Sequence, residues 1–97
     1  MTVEHITPAD GNIFADLGYP PAEAANLQKR AQLMIELTQI LKAQFNTQTE
    51  AAETLGVTQS RISDLYRGKI GKFTIDMLVN MLIAAGRDVE ITIKAAA

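Results

Sequence analysis

The sequence predicts an all-α bundle of four to five helices followed by a single C-terminal β-strand, and three stretches lead there. Residues 23–45 contain neither Gly nor Pro and repeat apolar side chains at three- and four-residue spacing, the period of a helix with one buried face. Residues 47–68, TQTEAAETLGVTQSRISDLYRG, open with Thr-Gln, break at Leu55-Gly56-Val57 and open again with Thr-Gln, as two short helices joined by a tight turn would. Residues 88–94, DVEITIK, alternate polar and apolar with β-branched side chains at four positions, the period of a half-buried strand.

Composition bounds the rest. A chain of 97 residues holds one small core. Its 47% apolar and 21% charged content is globular, and 5% aromatics without Trp imply a core of aliphatic side chains and Met. With no Cys and a single His5 in the N-terminal lead-in, metal and disulfide chemistry are not expected, and no cofactor is. No stretch has the pattern of a signal peptide or approaches the roughly 18 apolar residues of a membrane span, so a cytoplasmic protein is expected. The net charge of -2 argues against indiscriminate nucleic-acid binding and leaves the local distribution to decide.

The elements follow in order. Residues 1–22 hold all three prolines and the turn signals Asp10-Gly11-Asn12 and Leu17-Gly18, so they read as an irregular arm. Phe14, Leu17 and Tyr19 give that arm apolar surface, either to clasp its own domain or to grip a partner. The first long helix then carries Leu27, Ala31, Met34, Leu37, Thr38, Leu41 and Phe45 on one stripe, with Pro21 suited to its first turn. Thr47 and Glu50 have the spacing of a capping box. Ala51, Ala52 and Leu55 supply a small packing face, and Gly56 suits a left-handed helix end. Thr58 caps the next helix, but the position held by Glu50 in the first is here Arg61. A cation in a first turn opposes the helix dipole by about 0.3 to 1 kcal/mol, which a helix end aimed at phosphates or guanine edges would offset.

On that second helix Ile62, Leu65 and Tyr66 share one side. At 100° per residue Ser60, Asp64 and Arg67 lie opposite, flanked by Gln59, Arg61 and Ser63. These side-chain types read base edges, Gln with adenine and Arg with guanine, while Arg67, Lys69 and Lys72 suit phosphates. The same surface would also serve as the plain solvated face of a scaffold. Further on, Thr74 caps a last helix ending at Gly86, with Asp76 in its first turn and Ile75, Leu78, Val79, Leu82 and Ile83 as its core stripe. Met77, Met81 and Ala84 lie partly off that stripe, which implies two packed sides.

A lone strand leaves backbone donors and acceptors unpaired. Residues 88–94 therefore pair with the same strand of a second chain, or with Val3 to Ile6, or form a frayed tail. A homodimer joined through Met77, Met81, Val89, Ile91 and Ile93 is the favoured expectation, since apolar edge strands invite pairing.

The stretch TQTEAAETLGVTQSRISDLYRG resembles the helix-turn-helix of Xre/Cro/C1-type repressors. The resemblance implies a lambda-repressor-like bundle with a DNA-binding domain at 23–87, its helix-turn-helix at 47–68, and a dimerisation strand and tail at 88–97. It also implies that Gln48 contacts a phosphate and braces Gln59, that Gln59, Ser60 and Arg61 enter the major groove of operator DNA, and that Arg67 holds the backbone. Thr58, Ser63, Asp64, Lys69 and Lys72 complete the expected DNA-binding set. The wider chain, NIFADLGYP through FTIDMLVNMLIAAG to RDVEITIK, is similar to the HigA-like antitoxins of type II toxin-antitoxin modules. That similarity implies a repressor of its own operon that neutralises a RelE/HigB-like ribonuclease. Two alternatives stand beside it, an Xre-family regulator without a toxin and a module that mainly sequesters a partner. The scattered acidic residues and lone His offer no catalytic constellation, so an enzyme is not expected.

Overall fold

A computed structural model of the chain describes residues 12–95. In order these form α1 (Ile13–Asp16), α2 (Pro21–Gln44), α3 (Gln48–Leu55), α4 (Gln59–Tyr66), a 3-10 turn (Ile70–Lys72) and α5 (Ile75–Ala84). The expected pairing of Val3 to Ile6 and the position of His5 lie outside the described residues.

From Asn12 onward the lead-in is more ordered than its sequence suggests. Asn12 caps α1 by accepting from the backbone N–H groups of Phe14 at 2.8 Å and Ala15 at 3.3 Å. Its Nδ2 donates 2.9 Å to the Ala24 carbonyl on α2, so one side chain starts the helix and fastens it. Phe14 and Tyr19 meet edge to face at 6.1 Å. Leu17, counted among the packing residues from the sequence, is 68% exposed.

Helix α2 starts with Pro21 at a position where a missing N–H costs nothing. Its 24 residues, about 36 Å at 1.5 Å per residue, set the long dimension of a molecule measuring 40 × 25 × 22 Å. Met34, Leu37 and Leu41 face the main core, where they meet Ala51, Ala52 and Leu55 of α3, Ile62 and Leu65 of α4, Phe73, and Leu78, Met81, Leu82 and Ala85 from α5 and its end. Ala24 and Leu27, toward α1, are buried outside that cluster. Each fully buried Leu, Ile or Phe contributes about 1.5–3 kcal/mol, and no polar side chain among the described residues is buried with them.

Helix α5 faces the core differently from its expected stripe. Thr74 caps it as expected, accepting from Met77 N–H at 3.1 Å. The buried set is Leu78, Met81, Leu82 and Ala85, while Ile83 is 56% exposed. Asp76 and Asn80, four residues apart and both exposed, mark the outward side of IDMLVNMLIA, with Ile83 beside them and the buried set opposite. Met81, expected at a dimer contact, is thus a residue of the chain's own core.

The expected C-terminal strand is not formed among the described residues: 88–95 carry no regular structure. A strand exists through a ladder with a neighbour, and no described segment of the chain lies beside this one as a ladder partner. Val89 packs against the core, while Ile91 and Ile93 stand 71% and 92% exposed.

Candidate nucleic-acid interface

Two short helices and the turn between them build this surface, each from local chemistry. Thr47 Oγ1 accepts from Glu50 N–H at 3.1 Å, and Glu50 Oε1 accepts in return from the N–H groups of Thr47 at 3.2 Å and Asn46 at 2.9 Å. The capping box of α3 is complete. Gly56 ends α3 at φ 71, ψ 31, and Val57 N–H reaches back to the Ala52 carbonyl at 3.0 Å, closing the helix end. Thr58 then opens α4, accepting from Arg61 N–H at 3.1 Å.

Within α4, Ile62 and Leu65 are buried and Tyr66 packs against the same cluster. That inward side leaves Thr58, Gln59, Ser60 and Arg67 exposed, with Ser63 half-buried at its flank, Asp64 half-buried on the outward side and Gln48 half-buried at the start of α3. The side chains of Gln59, Ser60 and Arg67 make no hydrogen bond or ion pair among the described residues. Gln59 and Ser60 stand at the N-terminus of α4 and Arg67 at its C-cap, and donors and acceptors with no internal partner are what a base edge or a phosphate can engage.

Arg61 sits apart from this group. Its Nη1 donates 3.0 Å to the Lys72 carbonyl, and its guanidinium lies 5.5 Å from the centre of the Phe73 ring. It lines a shallow notch of about 210 Å³ with Leu55, Val57, Met77, Asn80 and Met81. The cation that looked misplaced in the first turn of α4 is a brace between that helix and the 3-10 turn. These two contacts offset its unfavourable meeting with the dipole from inside the protein.

Lys69 and Lys72 are not free either. Asp64 Oδ1 lies 3.5 Å from Lys69 Nζ, and Asp64 Oδ2 lies 3.8 Å from Lys72 Nζ. One carboxylate on α4 thus stands between Lys69, just before the 3-10 turn, and Lys72, its last residue.

Two supporting residues escape a reading of the stretch alone. Arg30 on α2 donates through Nη1 to the carbonyls of Phe73 at 3.1 Å and Ile70 at 3.3 Å, with its Nε on Asn26 Oδ1 at 2.8 Å. Arg30 and Arg61 together hold carbonyls 70, 72 and 73. A signal exists in hindsight: Arg30 lies three residues after Leu27 and four before Met34, a place the apolar stripe of α2 would otherwise fill. Lys42 lies 5.0 Å from the Tyr66 ring centre, joining the ends of α2 and α4, and burial pushes the Tyr66 phenol above its ordinary 10.0.

Of the residues expected at a dimer contact, Met77 and Val89 are half-buried, Met81 is buried, and Ile91 and Ile93 are exposed. No helix among the described residues is long and apolar enough to cross a membrane.

The family of the helix-turn-helix domain matches the chain over residues 13–94. No curated protein sequence matches it. The family match runs from α1 through the end of the bundle and takes in both capped helices and their glycine turn, so it rests on the whole fold described above: the chain belongs to the helix-turn-helix domain family.

Proposed function

We propose that the protein is a sequence-specific DNA-binding regulator whose α4 enters the major groove by its N-terminal half. The observation that carries this reading is the exposure of Gln59 and Ser60, without internal partners, on a helix start already capped by Thr58. Gln59 suits adenine and Ser60 either base edge. Gln48 at the start of α3, together with Arg67, Lys69 and Lys72, supplies phosphate contacts that set register. Arg61 supports the reading helix from behind by holding it to the 3-10 turn.

Duplexes enriched from a random-sequence pool by the protein provide the test. Gln59→Ala should cost about 1–3 kcal/mol on the selected duplex and relax preference at one base position. Arg67→Ala should weaken all duplexes alike and lower the salt slope by about one. Failure of the wild-type protein to enrich any sequence would sink the reading.

We further propose a homodimer on a two-fold operator, with Met77, Val89, Ile91 and Ile93 at or near its interface, and an antitoxin role within that frame. The antitoxin role is supported by the similarity of NIFADLGYP through RDVEITIK to HigA-like antitoxins and by the exposed apolar surface of Ile13, Leu17 and Tyr19, which suits a protein partner. A RelE/HigB-like ribonuclease encoded beside this chain should form a stoichiometric complex with it and lose activity. If no complex forms, a DNA-binding regulator without a toxin remains.

A further inference from the structure

Asp64 stands on the outward side of α4, one turn beyond Ser60, and is an acid where DNA would approach. Its side chain is 19% exposed, against 45% for Lys69 and 57% for Lys72. At 3.5 and 3.8 Å both contacts exceed the 2.7–2.9 Å of a tight charge-assisted hydrogen bond. The two lysines therefore share one carboxylate, which offsets one of their two charges without locking either to it. By contrast, the backbone of the loop that carries them is fixed, because Arg30 and Arg61 hold the carbonyls of Ile70, Lys72 and Phe73. A fixed loop bearing two loosely held cations can exchange their carboxylate for a phosphate with little movement of the chain.

We propose that Asp64 is a specificity-determining residue, which keeps Lys69 and Lys72 off DNA phosphates until α4 is seated in a matching groove. The proposal rests on the reading of α4 given above. Binding to unmatched DNA is almost wholly electrostatic, so a carboxylate that occupies two lysines and repels the backbone weakens that mode most. On a matched sequence the base contacts of Gln59 and Ser60 bring the loop against the duplex. Phosphates, several around one groove, then draw both lysines from a single acid. The carboxylate so separates the two binding modes by lowering the weaker one.

The experiment measures binding of the full chain to its selected duplex and to a scrambled duplex of equal length and composition, across a salt series. Asp64→Asn keeps the shape of the side chain and removes its charge. This variant should bind the scrambled duplex several-fold tighter near 0.1 M salt, with a slope of log affinity against log salt steeper by about one to two, the count of lysines released. Affinity for the selected duplex should change much less, so the ratio between the two falls. Adding Lys69→Gln and Lys72→Gln to Asp64→Asn should remove the gain on scrambled DNA, whereas a merely structural role for Asp64 would leave the salt slope unmoved. An unchanged slope and scrambled-duplex affinity in Asp64→Asn would overturn the proposal. So would a loss confined to one base position of the selected duplex, which would make Asp64 a direct reader of cytosine. If the wild-type chain selects no duplex at all, the DNA-reading role itself has failed, a result distinct from either.

Discussion

Thr47 and Thr58 open their helices with the same hydroxyl-to-backbone bond, 3.1 Å in each case, but a return bond is made only at the first, by Glu50. Arg61→Glu weighs the difference. The substitution could complete a second capping box and turn an unfavourable dipole contact into a favourable one, together about 1–2 kcal/mol. It would also remove a charged hydrogen bond to the Lys72 carbonyl, about 1.5–3 kcal/mol, and a cation–ring contact of about 0.5–1 kcal/mol. The loss outweighs the gain, so Arg61→Glu should lower stability by roughly 1 kcal/mol in urea denaturation, from those same terms. A stabilised variant would show that the brace contributes less than the cap. Tyr66 allows a second measurement at this scale. Burial raises its phenol above 10.0 in the folded chain, while the unfolded chain titrates near 10.0. Above that pH the unfolded state holds fewer protons than the folded one. The contribution is fully present below pH 10 and is lost as pH rises through the folded value. In a Tyr19→Phe background, which leaves one phenol, the phenolate midpoint should therefore lie higher for folded than for denatured protein.

Gly56 links residues to elements, because the angle between α3 and α4 depends on its backbone. At φ 71, with no atom within 4 Å of an added Cβ, Gly56→Ala meets no steric neighbour. Only the left-handed conformation is penalised, by about 1–2 kcal/mol. Thermal unfolding should show that loss, and a neutral outcome would mean the turn relaxes out of the left-handed region. This element was legible from the chain, since caps, turn glycine and apolar spacing are all encoded within a few residues of where they act. Helix α2 was legible too, through its period. What the chain could not convey depends on distant geometry. The rotation of α5 is the exception, because Asp76 and Asn80 mark the side opposite Leu78, Met81, Leu82 and Ala85, and the expected stripe had wrongly taken in Ile83 beside them. The roles of Arg30 and Arg61 depend on the carbonyls of a 3-10 turn, 40 and 11 residues away, to which no local pattern points. Asp64 belonged to the polar face by its spacing, but its hold on Lys69 and Lys72 needed the loop to fold back. The strand at 88–94 had the right alternation and lacks a ladder partner, which periodicity within one segment cannot provide.

At the scale of the molecule, the three most exposed isoleucines lie near the C-terminal end of the described residues. Ile83, Ile91 and Ile93 are 56%, 71% and 92% exposed, and Val89 between them reaches the core. Three large apolar side chains in solvent within eleven residues, on a helix and the segment that follows it, fit a surface covered by a second copy. A two-fold pair would also give residues 88–94 the ladder they lack, each segment pairing with its equivalent. Light scattering on the full chain should then give twice the chain mass. Ile91→Pro removes a ladder donor without touching the core and should give a single chain with an unchanged helical signal. Its affinity for a selected duplex should fall more than its affinity for a scrambled one, because two linked α4 helices engage two half-sites at the effective concentration set by the dimer. A monomeric wild-type chain would reject this arrangement outright. A dimer indifferent to Ile91→Pro would instead place the contact on α5, where Ile83→Asp should break it.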